Sequence, residues 1–242
     1  EGTPRYYQRQ LLEIFARQAS SAFWNRMLRR LLIQKNEELV RANDVLRENY
    51  TQIISAIRLL VDTKDIYTRG HSDRVAYYAV RLAREMGRDE DFCARLRVAG
   101  LFHDIGKIGV PDEILFKDGR LTDEEYKLIQ QHPLDSARLL EPIYGPRIAE
   151  LAYSHHERMD GRGYPRGLKG EEIPFEARIL AVADAFDAMT SDRGYNRVKT
   201  FEEAAVELQS LSEAYDPLVT ATLVRLVREG RIGPQATAKT AE

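Results

Sequence analysis

Residues 101–110 read LFHDIGKIGV, an apolar stretch that predicts a buried helix yet sets His103 beside Asp104, with Lys107 one turn later. On a helix of about 3.6 residues per turn His103 and Lys107 nearly eclipse and Asp104 lies about 100° round, so all three side chains can enter one cavity. Left unpaired in an apolar interior, an imidazole, a carboxylate and an ammonium would each be costly. The stretch therefore demands partners from elsewhere in the chain.

Outward from it the pattern stays helical. HSDRVAYYAVRLAREMG, from residue 71, carries His71, Val75, Ala79, Leu82 and Met86 on one stripe. Thr122 with Glu125 and Thr200 with Glu203 have capping-box spacing, and IPFEARILAVADAFDAMTSD is apolar nearly all round behind Pro174, read as a first-turn proline. No alternating run is long enough to argue a strand. The expectation is an all-α fold, a compact helical domain over residues 61–228. Its exception is MDGRGYPRGLKGEEIP, residues 159–174, a glycine-punctuated loop too long and, at Tyr164, too aromatic to be only a connector.

Residues 1–60 follow another period. From 25 to 60 there is no Gly or Pro, and Leu32, Leu39, Leu46, Ile53 and Leu60 recur every seven residues. With these at d, Asn36, Asn43, Tyr50 and Ile57 fall at a, where buried Asn favours a parallel two-stranded coil and hence a homodimer. One long amphipathic helix folded back on its own domain is the competing reading. Upstream, LLEIFARQASSAFWNRML resembles the last helix of a GAF sensor domain running into a signalling helix. Residues 229–242 read as a flexible tail.

Bulk properties exclude several classes. The 242 residues carry a net charge of -2, which gives no basic field for gripping a polymeric nucleic acid. A single cysteine, Cys93, excludes an internal disulfide framework and suits a reducing compartment. No run of about 18 apolar residues is present, and there is neither a signal-peptide pattern nor an initiator Met. The expectation is a cytoplasmic fragment of a longer protein, with no membrane segment of its own.

All five histidines, His71, His103, His132, His155 and His156, fall in the compact region, and Asp104 and Asp184 join them in apolar surroundings. Any one histidine is more often a hydrogen-bonded packing residue than a ligand. Adjacent His155 and His156 could simply end a helix begun near Pro146, Asp187 could orient a ligand or be solvated, and Lys107 could pair with a nearby acid. A bimetallic site explains the whole set at once. Mixed nitrogen and oxygen donors favour iron, manganese or zinc, and a carboxylate such as Asp104 can bridge two ions about 3.5–4 Å apart.

In order, HSDRV, LFHDIGKIGVPDEIL, QHPLDSA, HHERMDGRGYP and VADAFDAMTSDRGY resemble the HD-GYP family of the HD phosphohydrolase superfamily. The likeness runs from about residue 61 to 228, with Gly163, Tyr164 and Pro165 at the family spacing after His155 and His156. It implies an all-helical phosphodiesterase that hydrolyses cyclic di-GMP to pGpG or GMP with iron or manganese. Carried over by motif, His71, His103, Asp104 and Asp184 would hold one ion, and Asp104, His132, His155 and His156 the other. Lys107 and Arg193 would contact the substrate, and Tyr164 would line the pocket or dock a partner such as a GGDEF-domain protein. Tyr67 stands where some members have a Glu that recruits a third metal, so two metals are expected. Gly194 replaces a frequent Pro.

The chemistry is coherent. A phosphodiester resists attack because its anionic oxygens repel nucleophiles, and two cations that bind those oxygens and acidify a bridging water relieve this, with Lys107 offsetting the charge that builds on phosphorus oxygens. The alternative is a module that binds cyclic di-GMP or a GGDEF partner without hydrolysis. A di-iron oxygenase is a third reading, against which Lys107 argues.

Overall fold

The computed structural model describes residues 4–64, 70–117, 119–192 and 197–233, with backbone alone at residues 5, 6 and 60–64. Tyr67, Arg193, Gly194 and the tail beyond Gly233, all singled out above, lie outside the described residues. The chain divides into two compact units, Glu1–Gln52 and Ile53–Glu242. Among the described residues the structure is helical, its one β-bridge being the isolated pair Asp160 and Lys169.

Helix α1 (Pro4–Lys64) makes up the described part of the first unit and gives its last turns to the second. It absorbs both the GAF-like stretch and the heptad segment into one helix, because no Gly or Pro interrupts residues 5–64. Leu32, Leu39, Leu46 and Ile53 are each more than half exposed. Surface pairs such as Lys35 with Glu38, 2.7 Å apart, add only tenths of a kcal/mol, about 0.2–0.5 each.

The second unit continues through α2 (His71–Glu85), α3 (Glu90–Phe102), α4 (Asp112–Leu115), α5 (Asp123–Ile129), α6 (His132–Tyr144), α7 (Pro146–Ser154), α8 (Phe175–Thr190), α9 (Phe201–Ser210) and α10 (Pro217–Arg228). Both capping boxes form as read: the Thr122 and Thr200 hydroxyls accept from the Glu125 and Glu203 amides, and each Glu carboxylate accepts from its Thr amide. The main core packs Tyr78, Leu82, Leu96, Leu180, Phe186 and Leu223 around α8, which is buried nearly all round. Pro174 sits one residue outside α8, as its N-cap. A smaller cluster joins Ile54, from the end of α1, to Phe102, Ile105, Leu140 and Ala152.

The expected helix through 101–110 is broken. α3 stops at Phe102, His103 and Asp104 form a turn, and Ile105–Gly109 is a 3-10 turn. The cause is tertiary. Gly106 lies flat on the start of α6, where a Cβ would meet the His132 carbonyl and come within 2.6 Å of the Ser136 nitrogen, and its own amide donates to the Ser136 hydroxyl at 2.9 Å. Residues three apart eclipse in a 3-10 turn, so Lys107 stacks with Asp104 and not with His103. Lys107 Nζ donates to Asp104 Oδ2 at 2.6 Å.

Candidate metal centre

Six of the seven proposed ligands stand at or beside helix ends. His71 opens α2 and His132 opens α6, while His103 with Asp104 follows α3 and His155 with His156 follows α7; only Asp184 projects from mid-helix, in α8. The last carbonyls of an α-helix have no partner within it. Three imidazoles take up this vacancy in the same way: Nδ1 of His103 lies 2.8 Å from the Gly100 oxygen, that of His132 2.7 Å from Ile129, and that of His155 2.6 Å from Ala152. A carbonyl only accepts, so each Nδ1 carries a proton and, in the neutral ring, each Nε2 turns a lone pair inward.

These lone pairs converge on Asp104. Its Oδ1 lies 3.2 Å from His132 Nε2 and 3.8 Å from His155 Nε2. Its Oδ2 lies 3.5 Å from His103 Nε2 and 3.8 Å from His71 Nε2. Asp184 Oδ1 closes the second group, 3.2 Å from His71 Nε2 and 3.9 Å from His103 Nε2. Nε2 of His132 and of His155 are 3.3 Å apart. His103 Nε2 and Asp104 Oδ1 are buried with no hydrogen-bond partner among the described residues. Such orphaned atoms cost about 1–3 kcal/mol each, which a cation coordinated between them would offset. The donor set fits a divalent ion, held by Asp104, His132, His155 and His156 or by His71, His103 and Asp104.

The charge states agree. Burial drives His103 and His155 downward, and brings His156 to about 3 despite the pull of Asp184. Burial raises the Asp104 and Asp184 carboxyls, but Lys107, His103 and His132 at Asp104, and His71, His103 and His156 at Asp184, outweigh it and hold both well below the usual carboxylate range. Burial also lowers His71, yet Asp184 and Asp187 overcome it and lift this imidazole to about 9. Neutral His103, His155 and His156 facing ionised carboxylates suit a cation, whereas His71, ion-paired with Asp184 and Asp187, would have to give up a proton to ligate one.

Asp187 is fully buried and holds His71 from behind. Its Oδ2 accepts from His71 Nδ1 at 2.7 Å, and Arg74 clamps it through Nε at 2.6 Å and Nη2 at 3.0 Å. Of the two readings left open for it, the orienting one holds. Tyr164 lies over His156 with ring centroids 4.7 Å apart. Glu157 went unnoticed in the sequence: buried, it accepts from the Arg166 and Leu168 amides at 2.8 and 2.9 Å and so folds the 159–174 loop back onto the centre. Its signal was a charge directly after two candidate ligand histidines, but nothing in the pattern marked it as buried. A cavity of about 640 Å³ opens over His71, Asp104, His156 and Asp184, walled by Lys107, Arg197 and Lys199.

Residues 33–219 match the family described as HD domain. A cyclic di-GMP phosphodiesterase of Thermotoga maritima is 44% identical over 182 residues, covering 74% of this chain and 50% of that protein. A 3'3'-cGAMP-specific phosphodiesterase of Vibrio cholerae is 39% identical over 71% of this chain and 38% of its own length. The chain thus spans half or less of these relatives. In fold it is similar to Bd1817, an HDG"Y"P protein of Bdellovibrio bacteriovorus, with a TM-score of 0.58 at 19% identity over 75% of this chain and 64% of that one.

Proposed function

The chain belongs to the HD domain family, in its HD-GYP branch, and from that membership we propose that it is a metal-dependent phosphodiesterase acting on cyclic di-GMP, with pGpG or GMP as product. One observation carries the reading: the two oxygens of Asp104 face two separate groups of imidazole Nε2 atoms, the disposition of a carboxylate shared by two cations. His71, His103, Asp104 and Asp184 would hold one ion, and Asp104, His132, His155 and His156 the other. Iron or manganese suits this donor set. When bound, the ions supply Lewis acidity toward phosphate oxygens and a nucleophilic water at neutral pH.

The chain's own residues do the rest. Lys107, seated on Asp104 and facing the cavity, would draw in the substrate phosphate and offset charge on its nonbridging oxygens. Arg197 and Lys199 extend that positive wall, and the family resemblance gives Arg193 a substrate contact. Tyr164 fixes the His156 ring and lines the site. The exposed apolar positions of α1 support a homodimer formed through that helix, and a buried Cys93 suits a reducing, cytoplasmic setting. Among the described residues no helix is long and apolar enough to cross a membrane.

The test is anaerobic incubation of the iron- or manganese-loaded protein with cyclic di-GMP. Release of pGpG or GMP is the expected result. Dinucleotide that is bound but recovered intact would leave the alternative, a module that binds the messenger or a GGDEF partner and reports through α1.

A further inference from the structure

A second cavity, of about 500 Å³, opens off the same centre, and it shares His156, Asp184 and Tyr215 with the first. The two differ in chemistry. Three ammonium or guanidinium groups wall the first, whereas Tyr126, Tyr164 and Tyr215 line the second, with Arg158 and Arg162 at its edge. Tyr126 and Tyr164 meet edge to face, ring centroids 6.3 Å apart at 74°.

The two arginines are in different states. Arg158 is occupied, its Nε 3.2 Å from Asp160 Oδ1 and its Nη2 2.8 Å from Oδ2. Asp160 also accepts from the Arg162 amide at 2.9 Å, which pins the backbone of the turn. The Arg162 guanidinium, by contrast, makes no hydrogen bond or ion pair among the described residues. A planar fork of donors, solvent-exposed and without an internal partner among the described residues, thus stands on the lining of a tyrosine-walled slot beside the proposed metal ligands.

Aromatic walls accept any flat heterocycle, because every base presents a π-face. A guanidinium fork is selective: it matches the adjacent O6 and N7 acceptors of guanine, whereas adenine offers a donor where guanine has O6. In a cyclic dinucleotide the base lies one ribose from the scissile phosphate, so a phosphate over Asp104 puts a base into an adjoining cavity. We propose that the slot formed by Tyr126, Tyr164 and Tyr215 is a nucleobase pocket and that Arg162 reads a guanine there, making it a specificity-determining residue. The inference rests on the phosphodiesterase reading above.

The test compares wild type with Arg162→Gln in the metal-loaded full chain, using cyclic di-GMP, 3'3'-cGAMP and cyclic di-AMP as substrates or, where not turned over, as competitive inhibitors. For the two guanine-containing dinucleotides the variant is expected to lose about tenfold or more in kcat/KM, chiefly through KM, with cyclic di-AMP unchanged. Arg162→Lys, a cation without the fork, is expected not to restore them. Tyr126→Leu is expected to raise KM, or the inhibition constant, for all three, since stacking is indifferent to the base. Equal change across the three dinucleotides in Arg162→Gln, or no change, overturns the inference while leaving the phosphodiesterase reading intact. Absence of turnover of any dinucleotide by wild type overturns both.

Discussion

Asp104 is where the two halves of the centre meet, and its loss removes a shared donor from each. With two ions sharing it as proposed, Asp104→Ala is expected to lose both, so elemental analysis of the purified variant showing full occupancy would contradict the bridging role. Lys107→Ala removes the ammonium seated on Asp104 but none of the proposed ligands, and is expected to keep bound metal while kcat falls; coupled metal quantification and turnover separate the two effects. Asp187→Asn keeps the shape but weakens the acceptor behind His71 and the clamp on Arg74, so metal affinity should drop about 10–100-fold by competition with a chelator. At this scale most of the site was legible: His71, His103, His132, His155, His156, Asp104 and Asp184 stood out as polar residues in apolar surroundings. Arg74 and Glu157 were not legible, since an arginine on α2 and a glutamate after His156 look like solvated charge until the fold buries their partners.

At the scale of elements, helix ends deliver the ligands. Terminal carbonyls left over by α3, α5 and α7 each fix a tautomer, which ties ligand geometry to where the helices stop. The break at 103–104 could not be read from the apolar pattern of LFHDIGKIGV, because a straight helix and a helix with a 3-10 turn bury the same residues. What decided it was the close approach of Gly106 to α6. Gly163 plays a like part in the loop: a Cβ there would come within 2.6 Å of the Glu157 Cα and the His156 carbonyl oxygen. Gly163→Ala is therefore expected to cost about 1–3 kcal/mol, read as a lowered thermal midpoint, and to lower kcat/KM by displacing Tyr164 and His156 together. Unchanged stability and activity would mean that the backbone yields freely there.

Across the whole molecule, two apolar clusters flank the polar centre. One is built around α8, and the other joins the last turns of α1 to Ile105, directly behind the Asp104 turn. Of the heptad residues of α1, Ile57 packs against the second cluster, whereas Leu32, Leu39, Leu46 and Ile53 are more than half exposed, so a chain starting at Ile53 is expected to be monomeric by light scattering and the full chain dimeric. A dimer that survives the truncation would assign the contact elsewhere. Composition and periodicity were enough to establish an all-helical chain, its long N-terminal helix and the polar residues that had to find one another, because local pattern and burial cost act along the sequence. The meeting of five imidazoles around one carboxylate, the turn that carries it and the tyrosine-lined slot beside it came only with the packed fold, because they depend on backbones far apart in the chain pressing within van der Waals contact.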